Sequence, residues 1–216
     1  MKLQSLLITV VLFAASNANA ALLLRLGGQA VYDTDRDITW LTDAKLAATN
    51  SFGLAYFTPI GGNYASIIYD NGKMTWDGAI AWVNAMNEAN YLGFHDWRLP
   101  TALNLDGTGP CIGQFCTQSE MGHLFYGELG GFTHNANYDL FRNLEAWNYW
   151  TGTGFSGTGR AWYFNTFYNY QAVIGSDQYA LVVRNGDVAL VPEPSVPWLL
   201  GSGLVGLIWV TSKRKG

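Results

Sequence analysis

Asn90-Tyr91-Leu92-Gly93-Phe94-His95-Asp96-Trp97-Arg98-Leu99-Pro100-Thr101 is the stretch on which the fold turns. Tyr91, Leu92, Phe94, Trp97 and Leu99 crowd into it beside one acid, Asp96, and one guanidinium, Arg98, and Pro100 closes it. A guanidinium in apolar surroundings needs paired acceptors, because an uncompensated buried charge costs several kcal/mol or more. Asp96-Trp97-Arg98-Leu99-Pro100 therefore reads as a core junction: Trp97 and Leu99 point one way, and Arg98 turns to carboxylates or carbonyls on the other face. The functional alternative is that Asp96 and Arg98 line a ligand pocket. No matching nucleophile or base stands near them in sequence, so the structural reading leads.

Upstream lies the strongest helical pattern, 76–90. Thr75 suits its N-cap, Asp77 suits the dipole of its first turn, and Ala79, Ile80, Val83 and Met86 share one face. Downstream, 101–117 is irregular, with turn signals at Asp106-Gly107 and Gly109-Pro110. It carries the only cysteines, Cys111 and Cys116. In an exported chain a close, even pair favours a disulfide, and two thiolates without a histidine partner make a poor zinc site. Thr117-Gln-Ser-Glu120 fits a capping box opening a second helix whose apolar stripe is Met121, Leu124, Phe125 and Leu129. His123 lies in that helix. Neither His95 nor His134 is four residues away, so the spacing gives no helical ligand pair, and His123 reads as structural.

Further out the chain turns to strands. Gln29–Asp33 and Ile38–Leu41 flank a polar turn. Its acids Asp33, Asp35 and Asp37 have calcium-loop spacing, but Ile38 stands where the loop needs glycine and Ala44 where it needs glutamate. A hairpin turn is the leading reading and Ca²⁺ the lesser one; no other cofactor is expected. Residues 42–49 suggest a short Ala-rich helix. Residues 51–73 form a long segment rich in Gly, Asn and aromatics (Phe52, Tyr56, Phe57, Tyr64, Tyr69). After Phe141 come short strands: 147–151 leading into a Gly/Ser/Thr loop at 152–159, an alternating run over 160–168, and a hairpin of 179–184 with 187–191 about Asn185-Gly186. The loop holds no G-x-S-x-G, so Ser156 is no nucleophile elbow. There is no internal repeat.

The two ends fall outside this domain, which spans 21–191. Lys2, the apolar run Leu6–Ala15 and Ala18-Asn19-Ala20 make residues 1–20 a secretory signal peptide. At the other end, 192–216, Pro192-Glu193-Pro194 precedes a charge-free run from Pro197 to Val210 and then Lys213-Arg214-Lys215. Such a run reaches about 21 Å as helix, so spanning a ~30 Å hydrocarbon core needs its flanks, roughly residues 196–211. Trp198 and Trp209 suit the two interfaces, and the basic end suits the cytoplasm. Setting aside Glu193 from the 16 acids, and Lys2, Lys213, Arg214 and Lys215 from the 12 bases, leaves the domain near −7. That excludes nucleic acid as a partner and polyanions held by bulk charge.

The tail resembles a PEP-CTERM sorting signal, with Pro192, Glu193 and Pro194 as its recognition motif. That resemblance implies a Gram-negative, exopolysaccharide-forming host, transient anchoring in the inner membrane, and processing by an exosortase that releases the chain to the cell surface or matrix. A permanent single-pass anchor is the alternative. In the domain, Trp40-Leu41-Thr-Asp-Ala44, Met74-Thr-Trp-Asp-Gly-Ala79, Asp96-Trp-Arg-Leu-Pro-Thr101, Glu120-Met-Gly-His-Leu-Phe125, Tyr149-Trp-Thr151, Ala161-Trp162 and Val182-Val-Arg-Asn-Gly-Asp187 occur in the order of the Lcl C-terminal domain family, which the chain resembles over most of 31–188. The resemblance implies an α+β, C-type-lectin-like fold shared with formylglycine-generating enzymes: two helices, a small twisted antiparallel sheet and much irregular chain. It also implies a non-catalytic role in binding polysaccharide or surface glycan. Trp147, Trp150, Trp162 and Tyr168 are the candidate stacking platforms, each with a core reading beside it. The C-x4-C spacing of Cys111 and Cys116 matches the copper-binding pair of formylglycine-generating enzymes, but there the pair lies late in the domain and here it precedes the second helix. A copper–thiolate oxidase and a purely structural biofilm or envelope component are the alternative functions.

Overall fold

A computed structural model describes residues 22–62, 66–156 and 160–188. The expected signal peptide and the expected sorting tail, with its membrane helix, lie outside these residues. Within them no helix is long and apolar enough to cross a membrane.

The architecture is α+β, with two helices and two antiparallel sheets in place of the one sheet expected. The first sheet has the order β1-β2-β3-β8 and comprises β1 (Leu22–Arg25), β2 (Ala30–Asp33), β3 (Ile38–Leu41) and β8 (Val183–Asn185). The second has the order β4-β7-β6-β5 and comprises β4 (Gly113–Gln114), β5 (Asn148–Phe155), β6 (Arg160–Asn165) and β7 (Tyr170–Ile174). Helix α1 (Trp76–Glu88) starts where its signals place it: Thr75 caps it, its side chain accepting from the Gly78 N–H. The second helix, α2, begins with one α-turn at Glu120–Gly122 and continues as π-helix over His123–Glu128.

Two apolar clusters flank the sheets, and the strands supply side chains to both. Trp150, Ala161, Tyr163, Ala180 and Val182 join Trp82, Met86, Trp97 and Leu99 in one cluster. Tyr149, Phe164, Tyr179, Leu181 and Val183 join Trp40, Met121, Leu124 and Phe125 in the other. The alternation of 179–183 is thus between two cores, not between core and water. This is the physical reason that the period-two pattern of these strands gives no exposed face.

Several local expectations are corrected. Residues 42–49 hold only a 3-10 turn at Leu46–Ala48. β5 runs on through Gly152 to Phe155, with a register shift between Trp150 and Gly154. The N-cap of α2 is Ser119, whose hydroxyl accepts from the Gly122 N–H, and Thr117 does not form the box. β8 pairs with β3, setting Ile38 opposite Asn185, a partner the expected hairpin did not include. Asp187 grips Arg25 (2.7 Å), and 189–191 lie outside the described residues.

Candidate functional site

The Asp96–Pro100 segment stitches the two sheets together. The Arg98 N–H donates to Val183 O on β8, and Val183 N–H returns the bond to Arg98 O (2.8 and 2.9 Å). Two residues on, Pro100 O accepts from the Gly152 N–H of β5 (2.8 Å). Asn87 at the end of α1 clamps the Trp97 backbone from both sides, donating to its carbonyl and accepting from its N–H. Trp97 itself is 2% exposed. The chain reaches this clamp through three left-handed residues, Asn90 (φ 52°), Leu92 (φ 57°) and Gly93 (φ 85°).

Arg98 satisfies its fork as a junction requires. It donates to both carboxylate oxygens of Glu120 (2.7 and 2.8 Å), to Asn185 Oδ1 and to Leu99 O. Glu120 Oε2 also accepts from the Thr101 N–H (2.7 Å). Asp96 goes to a different partner, Arg184 on β8, which donates to both of its oxygens. The Arg184 guanidinium holds the Asp96 carboxyl below the usual carboxylate range and lies over the Phe94 ring at 4.3 Å. Both ion pairs are therefore internal fastenings. Arg98 nevertheless borders a groove of about 620 Å³ between α1 and β5, with Ile80, Val83 and Leu99 as apolar lining and Thr101 and Thr153 as polar lining. The register shift of β5 sits at this groove and turns Thr153 toward the motif, where its hydroxyl accepts from the Ala102 N–H.

Of the four candidate platforms, two are exposed and two are not. Trp150 and Trp162 are 1% and 8% exposed, so neither offers a face to a ligand; they belong to the interior. Trp150 Nε1 donates to Met74 O (2.8 Å), fixing it there. Trp147 and Tyr168 are 47% and 56% exposed. One face of Trp147 carries the Lys73 ammonium, 4.0 Å from the ring centre. Tyr168 stands edge-on to Phe167, which is equally exposed.

Around Tyr168 an aromatic edge emerges that the sequence did not single out. Phe115, beside the disulfide, stacks on Tyr126, and Tyr126 meets Phe132 edge-on. The Tyr126 hydroxyl accepts from the Phe115 N–H and donates to Asn169 O. Asn169 adjoins Tyr168 and reaches Phe132 N–H once its amide is oriented to satisfy its neighbours. Phe115, Phe132, Phe167 and Tyr168 are all more than half exposed, around one partly buried tyrosine. Cys111 and Cys116 are joined as a disulfide and pin the loop that presents Phe115.

The turn acids do not act together. Asp33 is buried, and its Oδ1 accepts from the Asp35 and Arg36 N–H groups. Asp37 accepts from the Tyr32 hydroxyl, and Asp35 and Asp37 are exposed. Asp33 Oδ2 instead faces α2: His123 Nε2 lies 3.3 Å from it and 3.4 Å from Glu128 Oε1. Burial, and then the neighbouring Asp33, push the Glu128 carboxyl above its ordinary range. These three are the described residues whose His, Cys, Asp or Glu donor atoms converge closely enough to hold a metal ion. A search at four-residue spacing misses the pair on α2 because the helix there is π-wound. Five residues are about 140° out of phase on an α-helix but stack when the hydrogen bonds run i to i+5.

A two-sheet α+β domain, stitched by an Asp-Trp-Arg-Leu-Pro segment and edged with exposed aromatics, is what the geometry defines. The chain belongs to the Lcl C-terminal domain family, whose model matches residues 29–184. That family is consistent with an exported protein. No curated protein and no solved structure gave a significant match.

Proposed function

We propose that the protein is a non-catalytic, exported surface or matrix protein that associates with polysaccharide through the aromatic edge around Tyr168. The observation that carries this reading is the grouping of Phe115, Phe132, Phe167 and Tyr168, each with a large ring in solvent. Large exposed rings in one place mark interaction surfaces, and flat faces beside amide groups suit the apolar faces and hydroxyls of a sugar chain. The acidic balance of the domain supports a neutral or cation-bridged glycan over a bare polyanion. In this reading the fold is a C-type-lectin-like arrangement. Residues 1–20 direct export, the tail anchors the chain transiently in the inner membrane, and exosortase acts at Pro192-Glu193-Pro194. Pairing of both sulfurs in a disulfide favours the loop-pinning role of Cys111 and Cys116 over a copper–thiolate oxidase.

The test is binding to a glycan array and to the host's own matrix polysaccharide at low and moderate salt, with the chain and a Phe167→Ala/Tyr168→Ala variant. Binding should survive moderate salt and fall about tenfold in the variant, a loss of about 1.4 kcal/mol. Binding unaffected by the double substitution would remove the aromatic edge from the reading. Absence of binding to any polysaccharide would remove the function.

A further inference from the structure

The geometry points to a zinc site formed by Asp33, His123 and Glu128, pinning the β2–β3 hairpin to the π-turn of α2. Asp33 is fully buried, and its Oδ2 makes no hydrogen bond; nor does His123 Nε2. The two atoms are 3.3 Å apart, close enough for a charge contact but without hydrogen-bond geometry. Buried polar atoms nearly always find a partner, so two that converge without one call for a third body between them. Donors bound at 2.0–2.2 Å to a tetrahedral ion lie about 3.3–3.6 Å apart. The two measured edges, 3.3 and 3.4 Å, fall in that range.

The donor set selects the ion. Calcium and magnesium take all-oxygen shells, whereas an imidazole nitrogen with two carboxylates suits zinc. Two buried carboxylates bring two negative charges, and among the described residues neither forms an ion pair with a lysine or arginine. A divalent cation would balance them. The outer partners are already in place: Asp33 Oδ1 is held by the Asp35 and Arg36 N–H groups, which aim Oδ2 at His123. The His123 side chain is 16% exposed, so the site opens at that point. A fourth position remains there for water.

The test uses the full-length chain in detergent, with the disulfide intact so that no thiol competes, stripped by chelator and titrated separately with Zn²⁺ and Ca²⁺. Calorimetry should give one Zn²⁺ per chain and a raised melting temperature, and Ca²⁺ at equal concentration should do neither. Glu128→Gln and His123→Gln should weaken Zn²⁺ by more than the roughly 10–100-fold typical of losing an outer partner. Asp35→Asn and Asp37→Asn, in the same turn, should leave it unchanged. Should the ligand variants fail to fold, X-ray absorption on zinc-loaded wild type decides, because the site requires one imidazole nitrogen among oxygen donors. Binding without stoichiometry, a melting temperature indifferent to Zn²⁺, a preference for Ca²⁺, or an absorption spectrum without imidazole would each overturn the assignment.

Discussion

Replacing Arg98 by methionine tests the junction most directly. Methionine keeps most of the apolar stem, so the change removes the charge and the fork but little packing. What it leaves behind decides the magnitude. Glu120 is 13% exposed at its side chain and would keep only the Thr101 N–H as partner. Asn185 Oδ1 would lose both its guanidinium donors. Breaking a buried pair from one side costs about 3–5 kcal/mol. The Arg98 end is 34% exposed, and water relieves part of this, so about 2–4 kcal/mol is the expected loss. At roughly 2–4 °C per kcal/mol for a chain of this size, the melting temperature should drop by about 5–15 °C. Urea unfolding of wild type, Arg98→Met, Glu120→Gln and the double variant measures it. The double variant should lose less than the two single losses added together, with a coupling of about 0.5–3 kcal/mol, because Glu120→Gln removes the charge that Arg98→Met strands. Single losses below about 0.5 kcal/mol, or strict additivity, would refute the claim that this pair fastens the Asp96–Pro100 segment to α2.

Gly122→Ala should destabilise by roughly 1–3 kcal/mol or more, because a Cβ there would sit 1.9 Å from Cys116 O, a carbonyl in the disulfide loop. Gly127→Ala, five residues on, meets nothing nearer than 3.5 Å and serves as the control, expected to be neutral or stabilising in thermal melts. Cys111→Ser should cost about 2 kcal/mol through the short closed loop, read by urea unfolding against the oxidised wild type, and should match the reduced wild type. The Asp96–Arg184 pair adds an acid limb to stability. The Asp96 carboxyl is depressed in the folded state, so the unfolded chain binds more protons in the window below the ordinary value of about 3.9. The contribution is complete above that value and lost as pH falls through the folded one. Asp96→Asn should flatten that limb and, with Asp96 half exposed, cost no more than about 1 kcal/mol at neutral pH.

What the sequence makes legible is what neighbours along the chain determine. Thr75, the apolar spacing of Ala79, Val83 and Met86, and the run Ile38–Leu41 identify α1 and β3, because caps and short periodic runs are local signals. The Arg98 fork is legible too, since the cost of an unpaired guanidinium forces acceptors on it, though not their identity. The partner of β8 is not legible. Asn185-Gly186 suggests a hairpin, yet the Gly186 N–H and carbonyl go to Asp37 O and the Thr39 hydroxyl, some 147 residues away. No pattern within a window of a dozen residues encodes a pairing of that range. The exposed aromatics were half legible for a related reason. Trp150 and Trp162 look like platforms by type, but Trp150 packs into one of the apolar clusters and Trp162 is buried edge-on to Phe155.

The glycines of the family-like segments follow the same logic of close approach. A Cβ on Gly78 would meet Ile67 O at 2.4 Å, and one on Gly122 would meet Cys116 O at 1.9 Å. Each glycine sits in the first turn of its helix, next to a cap hydroxyl, Thr75 or Ser119, that accepts its N–H. Each helix is thereby set against an irregular strand of backbone at a distance no other residue permits. For α2 this fixes where the helix starts, and the π-turn fixes how far it has rotated by Glu128. Start and rotation together bring His123 and Glu128 round to the buried carboxylate of Asp33. The glycine, the serine cap and the five-residue spacing are thus three parts of one placement. A substitution at Gly122 should disturb the Asp33–His123–Glu128 geometry as well as the stability of the disulfide loop.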